Sequence, residues 1–339
     1  MKHPMRILAA LLSLLVLASC GAAPAPADTA KPAETAAPAV PAETAEEPAG
    51  EEAAAFPLVI RDDLDREVTL ETAPERVAVL MGSFAETWVL AGGELIAAPK
   101  DAWEDFALDL DESVVNLGSY QKVSAEALFD LEADLVIASA NTKAQVELRE
   151  MLESARLNVL YFDVNGFEDY LRMLKVCTDI TGREDLYELN GRQVQQQVEQ
   201  AKSAAVTALE GREAPRVLFI RTAASGIHVK GSEGTVLGLM LRDLGCVNIA
   251  DGSELLENLS IEKIIEEDPD MIFIVMQGSD QEGAKKTLED SLLSNPAWSG
   301  LSAVQADKLF YMDKQLYHLK PNNRWGISYA ELEKLLYEE

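Results

Sequence analysis

The apolar residues of this chain gather in short runs separated by polar, helix-forming stretches. Val77-Ala78-Val79-Leu80, Leu135-Val136-Ile137 and Val159-Leu160-Tyr161-Phe162 lie in the first half; Val217-Leu218-Phe219-Ile220, Met271-Ile272-Phe273 and Leu309-Phe310-Tyr311-Met312 lie in the second. Runs of this kind, without polar alternation, suit strands buried on both faces of a parallel sheet. A proline opens the first run of each half, in Ala73-Pro74-Glu75-Arg76 and in Ala214-Pro215-Arg216. The second run of each half ends a repeated phrase. Residues 123–137 align with 259–273 so that Ser124 falls on Ser260, Glu126 on Glu262, Leu128 on Ile264 and Asp134 on Asp270. Each copy predicts a short helix opened by a Ser cap, a turn carrying an Asp, and a buried strand. Two halves that repeat strand, helix, strand, helix, strand predict an α/β fold of two Rossmann-like βαβ lobes, 56–183 and 211–339, with a ligand cleft between them.

The periodicity changes between the halves. Glu184 to Leu209 contains no proline and one glycine, Gly191, among many Gln, Glu, Ala and Val residues. This predicts one long interlobe helix over 184–210, a rod of roughly 40 Å at 1.5 Å per residue. Gly211 closes it and Pro215 starts the next strand. A single rigid connector predicts limited lobe closure. From Arg324 to Tyr337, apolar positions at Ile327, Leu332, Leu335 and Leu336 predict a helix packed back on the second lobe.

Ahead of the lobes, Lys2 and Arg6 precede the apolar run Ile7–Leu17, which ends in Leu17-Ala18-Ser19-Cys20. Residues 1–20 therefore read as a secretory signal, too short to span a membrane well. Residues 21–55 are Ala, Pro, Glu and Thr with almost nothing large and apolar, the composition of a disordered tether.

Net charge narrows the partners. The chain carries −29, and loss of Lys2 and Arg6 with the signal takes it to −31. Such a surface repels nucleic acid and anionic lipid. Cys177 and Cys246 sit in apolar patterns in different halves and read as buried free thiols rather than a disulfide. No Gly-rich phosphate cradle follows a first strand, and no nucleophile elbow is present. Beyond the signal there are two histidines, His228 and His318, too few for an imidazole-rich metal site. Neither a resident cofactor nor a metal is expected, and nothing in the residues asks for an enzyme.

Taken with their order and spacing, several motifs carry a resemblance. Leu17-Ala18-Ser19-Cys20 resembles the bacterial lipobox, in which the thiol of the new N-terminal Cys20 is acylated. Asp65-Arg66-Glu67-Val68-Thr69-Leu70, Pro74-Glu75-Arg76-Val77, Gly118 before Ser124-x-Glu126, and Glu132-x-Asp134-Leu-Val follow. Leu244-Gly245-Cys246-Val247-Asn248, Asp268-Pro269-Asp270 and Asn295-Pro296-x-Trp298-x-x-Leu301-x-Ala303-Val304 complete the set. Across 56–339 the chain resembles the substrate-binding lipoproteins of bacterial ABC importers for ferric siderophores, haem and cobalamin. The resemblance implies a monomer, lipid-anchored on the outer face of the cell membrane, that captures a ferric chelate and delivers it to a permease dimer with its ATPase. It also implies that Glu126 and Glu262, on the outer tips of the lobes, dock onto arginines of the permease. A carboxylate is favourable in a first helical turn in any case.

In such a fold the cleft lies beyond the carboxyl ends of the strands. That places Met81, Ser83, Trp103, Tyr120 and Lys143 of the first lobe among the ligand-binding candidates, with Arg221, Gln277 and Tyr317 of the second. Arg221 and Lys143 would supply cations to an anionic ligand, and Tyr120 and Tyr317 phenols to a ferric chelate. Ser83 with Glu86 fits a capping box, while Trp88 reads as core and His228 as part of a hairpin. The resemblance favours a siderophore. For haem, the spacing of Tyr120 to Glu126 is one residue short, and Gln277 stands where a second-lobe His would be. Cobalamin stays open through Trp103 and Tyr120. An enzyme or a surface binding module on the same fold is the competing class.

Overall fold

The computed structural model describes residues 55–256 and 260–338. The signal at 1–20, the acylation site Cys20 and the tether over 21–54 lie outside the described residues.

The first lobe opens with an antiparallel hairpin of β1 (Leu58–Arg61) and β2 (Glu67–Leu70). A parallel sheet follows, built from β3 (Val77–Val79), β4 (Ala97–Ala98), β5 (Val115–Asn116), β6 (Leu135–Ser139) and β7 (Asn158–Phe162) in the order β5-β4-β3-β6-β7. The second lobe contains β8 (Arg216–Ala223), β9 (Gly226–Lys230), β10 (Val247–Asn248), β11 (Met271–Met276) and β12 (Leu309–Met312). Its order is β10-β8-β11-β12, parallel throughout, with β9 folded back antiparallel on β8. Strands β6 and β11 are buried almost along their full length, as their unbroken apolar runs require. The two-lobed α/β fold read from the sequence is the fold observed.

The repeated phrase has one structural meaning in both lobes. Asp134 accepts hydrogen bonds from the backbone of Glu75 (2.8 Å) and Arg76 (2.9 Å), and Asp270 accepts one from Arg216 (2.7 Å). The two arginines in turn donate to the carbonyl ends of the preceding helices: Arg76 to Leu131 (2.6 Å), Arg216 to Glu267 (3.1 Å). A cation at the last carbonyls of a helix satisfies acceptors the helix leaves open. Both helices also exit through left-handed backbone on a non-glycine residue, Glu132 (φ 49°) and Asp268 (φ 40°). The proline-led arginine segment and the Asp turn therefore form one clamp, used twice. The caps differ. Ser260 accepts a hydrogen bond from the Lys263 backbone at 3.2 Å, whereas Ser124 is extended at its helix start but makes no such bond, so the predicted Ser cap forms in one copy.

Between the sheets, the predicted rod is helical from Glu184 to Ala208 but not uniform. Glu184–Tyr187 leads into a π-helical turn, Glu188–Arg192, and then the α-helix Gln193–Ala208. The π turn has a tertiary cause. The Asn190 carbonyl accepts from Tyr170 Oη at 2.9 Å, and Asn190 Nδ2 donates to the Leu90 carbonyl at 2.9 Å. A local π-bulge re-aims one residue out of the helical ladder, here into the first lobe. The C-terminal helix Trp325–Tyr337 packs chiefly along this connector. Gly326 makes the approach possible: a Cβ there would lie 2.0 Å from Gln197 Oε1 and 2.7 Å from Gln197 Cβ. Cys177 and Cys246 are buried and free.

Candidate functional site

A cavity of about 340 Å³ opens between the lobes, at the carboxyl ends of the strands. Met81 and Ser83 follow β3, Val164 and Asn165 follow β7, Gln277 follows β11, and Lys314 with Tyr317 to Lys320 follow β12. Along β8 the side chains of Phe219 and Arg221 line it together, two residues apart on one face of the strand. The opposite face carries Thr222, whose hydroxyl donates to the Ala284 carbonyl at 3.0 Å.

The charges are segregated. The second lobe contributes Arg221, Lys314 and Lys320, and the first contributes Asp101 and Asp105. Three cations against two carboxylates make the cavity a basic spot on a chain of net charge −29. Arg221 Nε is buried with no hydrogen-bond partner. Burial pushes its guanidinium down, and burial with the charge of Arg221 pushes the ammonium of Lys230, on the neighbouring β9, down as well. Lys320 is pushed down by burial, partly offset by Asp163 and Asp101, and its ammonium stands 5.9 Å from the centre of the Phe84 ring. His318 is depressed to about 4 by burial, with Arg221 and Lys314 adding to the effect. Desolvated cations held in a group favour any ligand that brings negative charge.

On the acidic side, Asp101 Oδ2 accepts from the Gly82 backbone at 2.8 Å, while Oδ1 is buried without a partner. Burial raises the Asp101 carboxyl above its ordinary value. Asp105 is engaged across the cleft by Lys314 at 2.6 Å.

Of the sequence candidates, Met81, Ser83, Tyr120, Arg221, Gln277 and Tyr317 line this cavity. Trp103 and Lys143 do not. Trp103 is half-buried against the apolar core of the first lobe. Lys143, at the first position of a short helix, extends into solvent with its side chain 89% exposed and Glu147 at 3.7 Å. Tyr317 lines the cavity with its phenol turned inward. Its hydroxyl donates to the Ser328 carbonyl at 3.1 Å, and burial raises its pKa, so the ring rather than the oxygen faces a ligand. The capping box expected for Ser83 and Glu86 is absent because the helix Gly82–Leu90 begins two residues earlier, with Met81 at the N-cap position and no side-chain cap. Glu86 instead is buried and pairs with Arg324 (2.8 and 3.1 Å) and Asn322 (2.6 Å) of the C-terminal segment.

Sequence reading passed over Gln145, which organises the first-lobe wall. Fully buried, its side chain accepts from the Ser139 backbone at 2.7 Å and donates to the carbonyls of Leu80 (2.7 Å) and Tyr120 (3.0 Å). It thereby ties the ends of two strands to the loop that presents Tyr120. Asp101, Asp105, Lys314 and Lys320 were also passed over, since a charged residue in an acidic chain gives no local sign of facing a cleft.

The family model for periplasmic binding proteins matches residues 77–316, most of both lobes and the connector between them. The chain belongs to the periplasmic binding protein family. Two relatives come from Bacillus subtilis. One, the uncharacterized ABC transporter substrate-binding lipoprotein YvrC, is 22% identical over 287 residues, covering 81% of this chain and 84% of that protein. The other, the Fe(3+)-citrate-binding protein YfmC, is 24% identical over 269 residues, covering 76% and 79%. Among solved structures, the siderophore-binding protein BauB, bound to two acinetobactin molecules and ferric iron, superposes with a TM-score of 0.67 at 18% identity, covering 83% of this chain and 99% of that one. At that identity the likeness concerns the fold. This binding protein shares the two-lobed plan, and the contents of its cleft are its own.

Proposed function

We propose that this protein is the substrate-binding component of an ABC importer, held on the outer face of the cell membrane through acylated Cys20. Its cargo is a ferric chelate rich in negative charge, most simply a carboxylate siderophore or ferric citrate. The observation that carries this reading is the cluster of Arg221, Lys314 and Lys320 in the cleft of an otherwise strongly acidic chain. Clustered cations in a desolvated site cost free energy unless a ligand neutralises them. A relative that binds ferric citrate supports the same chemistry. The protein binds and delivers, with no bond made or broken. Met81, Ser83, Tyr120, Gln277 and the Tyr317 ring form the rest of the ligand surface, and Glu126 and Glu262 engage the permease.

The test is a titration of intrinsic tryptophan fluorescence with ferric citrate, a ferric catecholate, haem and cobalamin. Saturable quenching by an anionic ferric chelate is expected. Arg221→Ala should weaken it roughly 10- to 100-fold, as expected for losing a charge-assisted contact. Tight binding of haem or cobalamin alone, unaffected by Arg221→Ala, would overturn the reading.

A further inference from the structure

Lys314 and Asp105 meet across the cleft, one from each lobe. Lys314 Nζ lies 2.6 Å from Asp105 Oδ1, and the neighbouring Gln315 Nε2 donates to the Asp105 carbonyl at 3.1 Å. Both partners line the cavity and both are largely shielded, their side chains 25% and 33% exposed. No ion pair joins Arg221 or Lys320 to a carboxylate among the described residues. The three cations are therefore unequal in the empty cleft: two are free, and the third is already neutralised by a carboxylate of the protein itself.

We propose that Asp105 is an internal competitor for the ligand. It occupies Lys314 when the cleft is empty and surrenders it to the bound chelate. A neutral or singly charged ligand, satisfied by Arg221 and Lys320, leaves the Asp105–Lys314 pair in place. A polyanion takes all three cations and displaces Asp105, so this pair sets a threshold of charge for full engagement. The same pair bridges the two lobes, which couples ligand charge to the lobe contact at this point. The inference rests on the anionic-chelate reading above.

A double-mutant cycle tests it, with ferric citrate as the probe and fluorescence quenching as the readout, in wild type, Asp105→Asn, Lys314→Met and the double variant. Asp105→Asn is expected to bind ferric citrate roughly two- to fivefold tighter, the strength of a partly exposed ion pair that no longer has to be broken. In the Lys314→Met background the same substitution should bring little or no gain, because the competition is gone. An equal gain in both backgrounds would reduce Asp105 to general repulsion and overturn the proposal. So would weaker binding by Asp105→Asn, which would make Asp105 a contact kept in the complex. If wild type binds no anionic ferric chelate at all, the reading of the cargo fails first, and this inference with it.

Discussion

His318 sits among Arg221, Lys314 and Lys320, and burial with those charges depresses its imidazole from 6.5 to about 4. The folded protein thus holds it neutral at a pH where the unfolded chain protonates it. Between about pH 6.5 and pH 4 the unfolded state binds more protons at this site, so stability falls as pH falls through that window. Above pH 6.5 both states are neutral and the site has no effect. His318→Asn should remove this component. Thermal unfolding between pH 7 and pH 4 is therefore expected to show a shallower decline for the variant than for wild type, and parallel curves would refute the assignment. Nothing about His318 in the sequence indicates this. It stands in Tyr317-His318-Leu319-Lys320 after a strand, and its pKa is set first by burial in the folded cleft and then by charges such as Arg221, on a strand almost a hundred residues earlier. Arg221 itself was legible, because it ends an apolar run whose carboxyl end must face the cleft. Lys143, beyond the end of β6 in the first lobe, does not line the cavity. It begins a helix, and the direction of a helix-start side chain is not fixed by strand alternation.

The connector and the C-terminal helix show how an element can be read correctly while its fit stays hidden. Gly326 and Gln197 form a close approach between them. Adding a branched side chain there must push the helices apart or force Gln197 aside. Gly326→Val is expected to cost about 1–3 kcal/mol of stability by overpacking. Gln197→Ala should restore part of it by opening the space, and chemical denaturation of the single and double variants measures both. A loss left unchanged by Gln197→Ala would place the clash on atoms other than the Gln197 carboxamide, since valine is the better helix former of the two. The connector's length followed from its composition, whereas its π turn did not. That turn exists because Tyr170 and Leu90 each engage Asn190 from another element. Likewise the proline-led arginine and Asp motifs were visible as a repeat, yet their pairing into one clamp needed the strands beside each other.

For the molecule as a whole, the two lobes present both a cleft and an outer surface. Glu126 and Glu262 are exposed, each in the first turn of its helix, and neither lines the cavity. If they dock the permease, Glu126→Ala with Glu262→Ala should leave ferric citrate binding within about twofold while uptake by cells falls tenfold or more. Exposed acids away from the core change stability by no more than about 0.5 kcal/mol, so folding should not confound the result. Uptake at the wild-type rate would remove the docking role. The lobes are also held together where buried Glu86 of the first lobe pairs with Arg324 and Asn322. Breaking a buried pair leaves a charge stranded in low dielectric. This contact and the helical connector both join the first lobe to the rest of the chain.

The order of strands and helices, the duplication, the connecting helix and the family were all written in local patterns. Hydrophobic period, proline placement and short repeats each act over a few residues, so a linear reading captures them. The charge pattern of the cleft was not written that way. Asp105 meets Lys314 across 209 positions of chain, and Glu86 meets Arg324 across 238. Coulomb interactions and burial depend on distance in space, and only folding brings those residues together. The two-lobed plan therefore came from the sequence, and the balance of charge in its cleft came from the way the folded lobes face one another.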